Sequence, residues 1–284
     1  MTFIDSPFLY KYFEEQYITP KVSIQLMVSL FTCQLISDSF IKVENVKGIP
    51  LKAGNIFILF ILFLSSCSTL GTGNIQKANA HYKMGRSYLN ENKTQMAFVE
   101  FQKALEFNPR DKEALNSLGL VYLQFEDLHK AAESFTRAIN IDFNFSEAHD
   151  NLGVIYGRMN RWHDAINSFK VALKNPLYQT PEKAYNNLGW AYYKVGQIEE
   201  AVDAYKEAIK RMQDFYPSYY GLALCYNAKG QYGDAAMAIN RAIELDPLYK
   251  GDKEKAERDF RNRRLIATGE EEKDFVDYLE ILKY

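Results

Sequence analysis

The chain has 284 residues, 47% of them hydrophobic and 25% charged, with a formal net charge of −2. That composition suits a folded chain rather than a disordered one, and it lacks the basic excess that phosphate neutralisation by a nucleic-acid-binding surface requires. Fifteen glycines and eight prolines are too few to punctuate a sandwich or barrel of many short strands. The three cysteines, Cys33, Cys67 and Cys225, have neither metal-ligand spacing nor the even number of a disulfide framework.

The first strongly apolar run is Ile56 to Leu64. At about 1.5 Å per helical residue it falls far short of the ~30 Å hydrocarbon core, but it suits the apolar region of a secretory signal. Leu64-Ser65-Ser66-Cys67 follows at once and resembles the lipobox of bacterial lipoproteins. That resemblance implies cleavage before Cys67 and lipidation of Cys67 as the new N-terminus; the alternative is a buried cysteine after an ordinary apolar segment. Several acyl chains on one residue, at about 0.8 kcal/mol per buried methylene, would anchor the protein firmly. Residues 1–50 fit a signal poorly, because Asp5, Glu14, Glu15, Asp38 and Glu44 precede the apolar run. We therefore expect translation to start near Leu51, residues 1–50 to be a start-site overextension, and 51–66 to be the signal peptide. The small, polar residues after Cys67, with Gly71 and Gly73, read as a tether over 67–77. Ser68 rather than aspartate follows the cysteine, and by resemblance to enterobacterial sorting this implies the periplasmic face of the outer membrane.

From residue 78 the sequence repeats itself. Met84-Gly85, Leu118-Gly119, Leu152-Gly153, Leu188-Gly189 and Leu222-Ala223 recur at spacings of 34, 34, 36 and 34. Three residues after the glycine place stand Tyr88, Tyr122, Tyr156, Tyr192 and Tyr226, and twelve after it Ala97, Ala131, Ala165, Ala201 and Ala235. Phe101, Phe135, Phe169, Tyr205 and Ile239 follow four further on, then Ala104, Ala138, Ala172, Ala208 and Ala242 three beyond those. Leu115, Leu118, Gly119 and Tyr122 share one face of a first helix, and Ala131, Phe135 and Ala138 one face of a second. Pro109 and Pro247 close second helices. The pattern resembles the tetratricopeptide repeat. The expected fold is all-α: a right-handed solenoid of five helical hairpins (78–111, 112–145, 146–181, 182–215, 216–249) plus C-terminal capping helices over 250–284. One hairpin cannot bury its apolar face alone, so stacking supplies the core. At the C-terminus, Asp252 to Arg264 is a charge-dense helix, and Phe275, Leu279 and Leu282 form an amphipathic stripe that either caps the stack or binds a partner.

No catalytic or metal site emerges. His81 and His149 share one place in their repeats and His129 and His163 another, a register that marks scaffold residues, and no phosphate loop or His-Glu-x-x-His occurs. Cys225, in mid-helix, reads as an inert buried thiol. Solenoids of this kind line a concave groove with their first helices, which places Arg86, Asn116, Leu120, Asp150, Val154, Arg158, Asn186, Trp190, Tyr193 and Lys194 on it. That surface suits a protein segment, not a small-molecule substrate or cofactor, with Trp190 and Tyr193 as anchors unless Trp190 packs against the next repeat. Some family members grip a C-terminal carboxylate; Arg86 at the clamp's asparagine place and the charge of Asp150 argue against that mode here.

The 36-residue step marks a two-residue insertion, Asn175-Pro176-Leu177-Tyr178-Gln179-Thr180-Pro181-Glu182, that leaves Leu177 and Tyr178 either tucked under the junction or exposed. It resembles the Pro-Leu-Tyr-x-Thr-Pro segment of the type IV pilus biogenesis pilotins, the PilF/PilW family, which are similar in whole plan. The resemblance implies an outer-membrane lipoprotein that assists assembly of the pilus secretin. The alternative is a scaffold for peptidoglycan hydrolases or another envelope complex. An enzyme is disfavoured, because no residue set supplies an acid, base or nucleophile together.

Overall fold

The computed structural model describes residues 73–284; the N-terminal extension, the signal segment, Cys67 and the start of the tether lie outside the described residues. Residues 73–90 form α1. There follow α2 (Thr94–Phe107), α3 (Lys112–Gln124), α4 (Leu128–Ile141), α5 (Ser146–Arg158) and α6 (Trp162–Ala172). The rest are α7 (Pro181–Lys194), α8 (Ile198–Arg211), α9 (Tyr216–Ala228), α10 (Tyr232–Leu245), α11 (Lys253–Ile266) and α12 (Glu270–Ile281). No strand occurs among the described residues. One expectation needs correction: residues 73–77, read as tether, are already helical. Gly73 costs the end of the helix little, and the fully buried Ala78 one turn on anchors it.

Helices α1 to α10 pair as five hairpins. Each hairpin turn is closed the same way. The tyrosine of the repeat offers its carbonyl to an amide five residues on: Lys93 to Tyr88 at 2.8 Å, Asp127 to Tyr122 at 3.0 Å, Arg161 to Tyr156 at 2.8 Å, with Gln197 on Tyr192 and Gln231 on Tyr226 both at 2.9 Å. The residue before each of these donors has positive φ: Asn92, Glu126, Asn160, Gly196 and Gly230. This is the Schellman closure, which satisfies carbonyls that a helix end leaves unpaired. Asp111, Asp127 and Asp252 cap the helices that follow them, accepting from the amides of Ala114, Lys130 and Lys255.

The repeated glycine is a contact surface. A Cβ built on Gly85, Gly119, Gly153 or Gly189 would lie 2.5–2.8 Å from the ring of Phe101, Phe135, Phe169 or Tyr205. The aromatic of each second helix thus rests on bare backbone of the first. Hairpin five exchanges the pair for Ala223 and Ile239, both fully buried: a larger small residue and a smaller large one. Tyr205 also reaches forward, and a Cβ on Gly221 would stand 2.1 Å from its Cζ.

Neighbouring first helices touch one another (α3 with α5, α5 with α7, α7 with α9), whereas neighbouring second helices make no comparable contact. The stack therefore curves with its first helices on the inside. The largest buried cluster runs from Ala165 to Ile281; smaller ones around Phe101, Phe135 and Leu115 hold the first two hairpins. Among the described residues no helix is long and apolar enough to cross a membrane.

Candidate functional site

The inner face begins as a polar ladder between successive first helices. Asn151 donates to Asn116 at 3.0 Å, Asn187 to the Asp150 carboxylate at 3.2 Å, and Ser218 to Asn186 at 3.0 Å. These bonds hold the hairpins in register. They also correct the expectation for three groove positions, because Asn116, Asp150 and Asn186 spend hydrogen-bonding capacity inside the scaffold.

Asp150 shows why. Only 8% exposed, it also accepts a 2.9 Å hydrogen bond from the hydroxyl of Tyr178. The inserted junction therefore splits its two apolar residues: Tyr178 is buried and latches hairpin three to hairpin four, while Leu177 is 77% exposed. Burial pushes the Asp150 carboxyl above its ordinary value, with the Tyr178 and Asn187 bonds pulling the other way. A carboxyl raised in the fold binds its proton more tightly there than in the unfolded chain. Its ionisation thus costs stability as pH rises from the unfolded value near 4 through the folded one, and the loss is complete above that. We predict that Asp150→Asn flattens this decline, so that the variant gains on the parent between pH 4 and pH 7. Urea midpoints across that range check it; parallel curves would count against it.

At the C-terminal end the inner face is already occupied. Helix α12 crosses α9 and reaches the end of α7. The ammonium of Lys194 lies 3.3 Å from the Asp274 carboxylate, with both side chains about nine-tenths buried. Tyr278 packs its ring edge-on against Tyr220 at 5.6 Å, and Ile281 is fully buried. The Tyr193 hydroxyl is pushed above its usual range by burial and by the nearby Asp274 carboxylate. Tyr193 and Lys194, expected on an open groove, are thus part of the seat of α12.

What remains open on the inner face is Arg86, Leu120, Val154, Arg158 and Trp190. Arg86 is exposed beside the Tyr82 ring. Trp190 is half-buried, stacked on Tyr193 at 5.6 Å, with the Lys194 ammonium 4.3 Å above its ring. It forms one wall of a cavity of about 250 Å³ together with Val154, Arg158, Gly153, Gly157 and Trp162. Trp162 was not among the sequence-expected residues. The signal lay in Gly157: corresponding places in the other hairpins carry Leu89, Leu123, Tyr193 and Asn227. A Cβ on Gly157 would lie 3.1 Å from the Trp162 ring, so the missing side chain is what admits the indole.

The histidines sit where scaffold residues sit. His81 meets the Glu100 carboxylate at 2.6 Å, His149 donates to the Phe143 carbonyl at 2.9 Å, and His129 and His163 are exposed. Burial pushes the Cys225 thiol up to about 12, which removes the reactive thiolate at neutral pH. The site can bind a chain segment through shape, aromatic surface and charge.

Models of the tetratricopeptide repeat match residues 82–146, 148–180, 182–215 and 216–247, together more than half of the chain. No curated protein sequence matches it. Similar solved structures include PilW, described as a widely conserved type IV pilus biogenesis factor, at 23% identity and TM-score 0.59, covering 72% of this chain and 93% of that one. PilF of Pseudomonas aeruginosa is 19% identical with TM-score 0.57, covering 72% and 98%. MamA is 25% identical with TM-score 0.51, covering 57% and 93%. For PilW and PilF, identities this low establish a shared fold and nothing further.

Proposed function

From the premise that this chain belongs to the tetratricopeptide-repeat family, whose members bind protein partners, we propose that it is a lipid-anchored assembly factor of the bacterial outer membrane. It faces the periplasm through Cys67 and holds a protein client on the open inner face of hairpins one to four. The client we favour is the secretin of a type IV pilus. The observation that carries this choice is the junction Pro176-Leu177-Tyr178-Gln179-Thr180-Pro181, which resembles the pilotin segment and sits beside the open face with Tyr178 latched and Leu177 exposed. The lipobox at Cys67 supports the address, and the reading needs no cofactor, substrate or metal.

Two experiments test it. Cys67→Ala is expected to move most of the protein from the membrane fraction to the soluble one and to lower the yield of assembled secretin. Unchanged fractionation would refute the anchor. Affinity capture from solubilised envelopes with the lipidated protein should recover the secretin; recovery of peptidoglycan hydrolases instead would replace the client.

A further inference from the structure

Both tryptophans of the chain, Trp162 and Trp190, line one cavity on the inner face between hairpins three and four. It is floored by the first helix at Gly153 and Gly157, where the Phe169 and Trp162 rings pack onto bare backbone. At about 250 Å³ it exceeds the cavity of about 150 Å³ known to take a benzene ring. The rim carries Arg158, which is exposed and has no ion-pair partner among the described residues; the Lys194 ammonium over the Trp190 ring is buried and paired with Asp274. The nearby carboxylates are engaged elsewhere: Asp150 accepts from Tyr178 and Asn187, and Asp164 lies 2.7 Å from Arg161.

The next stretch of the same face already holds a segment of matching chemistry. Six of the twelve residues of α12 are acidic, and it docks through Asp274 on Lys194 and through the aromatic rings of Phe275 and Tyr278. We propose that the Trp162–Trp190 slot takes an aromatic side chain from an acidic segment of the client, with a carboxylate of that segment paired to Arg158. This rests on the reading that the inner face holds a protein and names the kind of segment it holds. An aromatic ring in the slot meets aromatic surface on both sides, and an Arg–carboxylate pair at its mouth sets the orientation of the segment.

The two tryptophans report on the slot directly. Three blocked peptides are titrated into the full chain: Asp-Phe-Glu-Asp-Phe, its alanine form Asp-Ala-Glu-Asp-Ala, and its basic form Lys-Phe-Lys-Lys-Phe. Intrinsic fluorescence and the indole N–H resonances are followed. The first should give a saturable change at both indoles, with the other two binding at least about tenfold more weakly, a difference of about 1.4 kcal/mol. Arg158→Glu should reverse the preference between the acidic and basic peptides. The double variant Gly157→Leu with Trp162→Leu, which copies the Leu123 and Leu128 of hairpin two, should keep its helical signal and lose the response at Trp190. No saturable change, or equal binding of the three peptides, overturns the slot. Client capture by that double variant at the parental level overturns it too, while leaving the assembly-factor reading intact; failure of the parent to capture a secretin would instead strike that reading.

Discussion

Gly221→Ala should be among the most damaging single-atom additions to this protein, costing about 3 kcal/mol or more, at or beyond the upper end of ordinary overpacking. The added Cβ would lie 2.1 Å from Cζ of Tyr205 and within 2.6 Å of both Cε atoms. The ring has no room to retreat, because it already rests on Gly189, where a Cβ would be 2.8 Å from Cε1, and the residue is 1% exposed. The strain must open the contact between hairpins four and five. Hairpin five indicates the remedy, since it pairs Ala223 with Ile239 instead of glycine with an aromatic. Gly221→Ala combined with Tyr205→Ile should therefore recover most of the loss, although Tyr205→Ile alone leaves a cavity and destabilises as well. Urea denaturation of the two single variants and the double one measures the coupling. Additive losses would show that ring and glycine do not form one contact.

The second large effect is expected at Lys194. Breaking a buried ion pair from one side typically costs about 3–5 kcal/mol, because the remaining charge keeps its desolvation cost and loses the attraction of that partner. In Lys194→Ala that remaining charge is Asp274, close to the Tyr193 hydroxyl and under the seat of α12. The cost falls on the docking of α12, so the helix should detach before the hairpins unfold. Hydrogen exchange should rise along Glu270–Ile281 while α3 to α6 keep their protection. The Cys225 thiol, fully buried and raised to about 12 in the parent, should become open to alkylation at neutral pH. Replacing both partners, Lys194→Met with Asp274→Leu, should restore docking. Unchanged exchange in Lys194→Ala would show that the rings of Phe275 and Tyr278 hold the helix without the charges.

The architecture of this chain was legible because its contacts repeat. A glycine followed three residues on by tyrosine, twelve by alanine and sixteen by an aromatic can be satisfied by one geometry, and the structure places the aromatics on the glycines through four hairpins. The apolar stripe of α12 was visible too, but periodicity says only that a helix has an apolar side, not which surface it meets. That Phe275 and Tyr278 fold back across α9 depends on the loop at Gly269 and on a charge pair between residues 80 apart in sequence. The groove was half legible for the same reason. Register places Asp150 and Asn186 on the inner face, yet only the bonds to Tyr178, Asn187 and Ser218 reveal them as scaffold. Trp162 escaped notice because it begins a second helix, and only the gap at Gly157 turns its ring toward the groove.

The buried clusters differ in size along the chain, with the largest extending from Ala165 to Ile281 and the first two hairpins holding only small ones. In a linear array each unit is held by its neighbours, so stability should rise toward the C-terminus. Synthesis runs the other way. The hairpins that leave the ribosome first own the least apolar core, and the part able to hold them arrives last. The largest buried cluster, which reaches Ile281, is complete only when the last helix has been made.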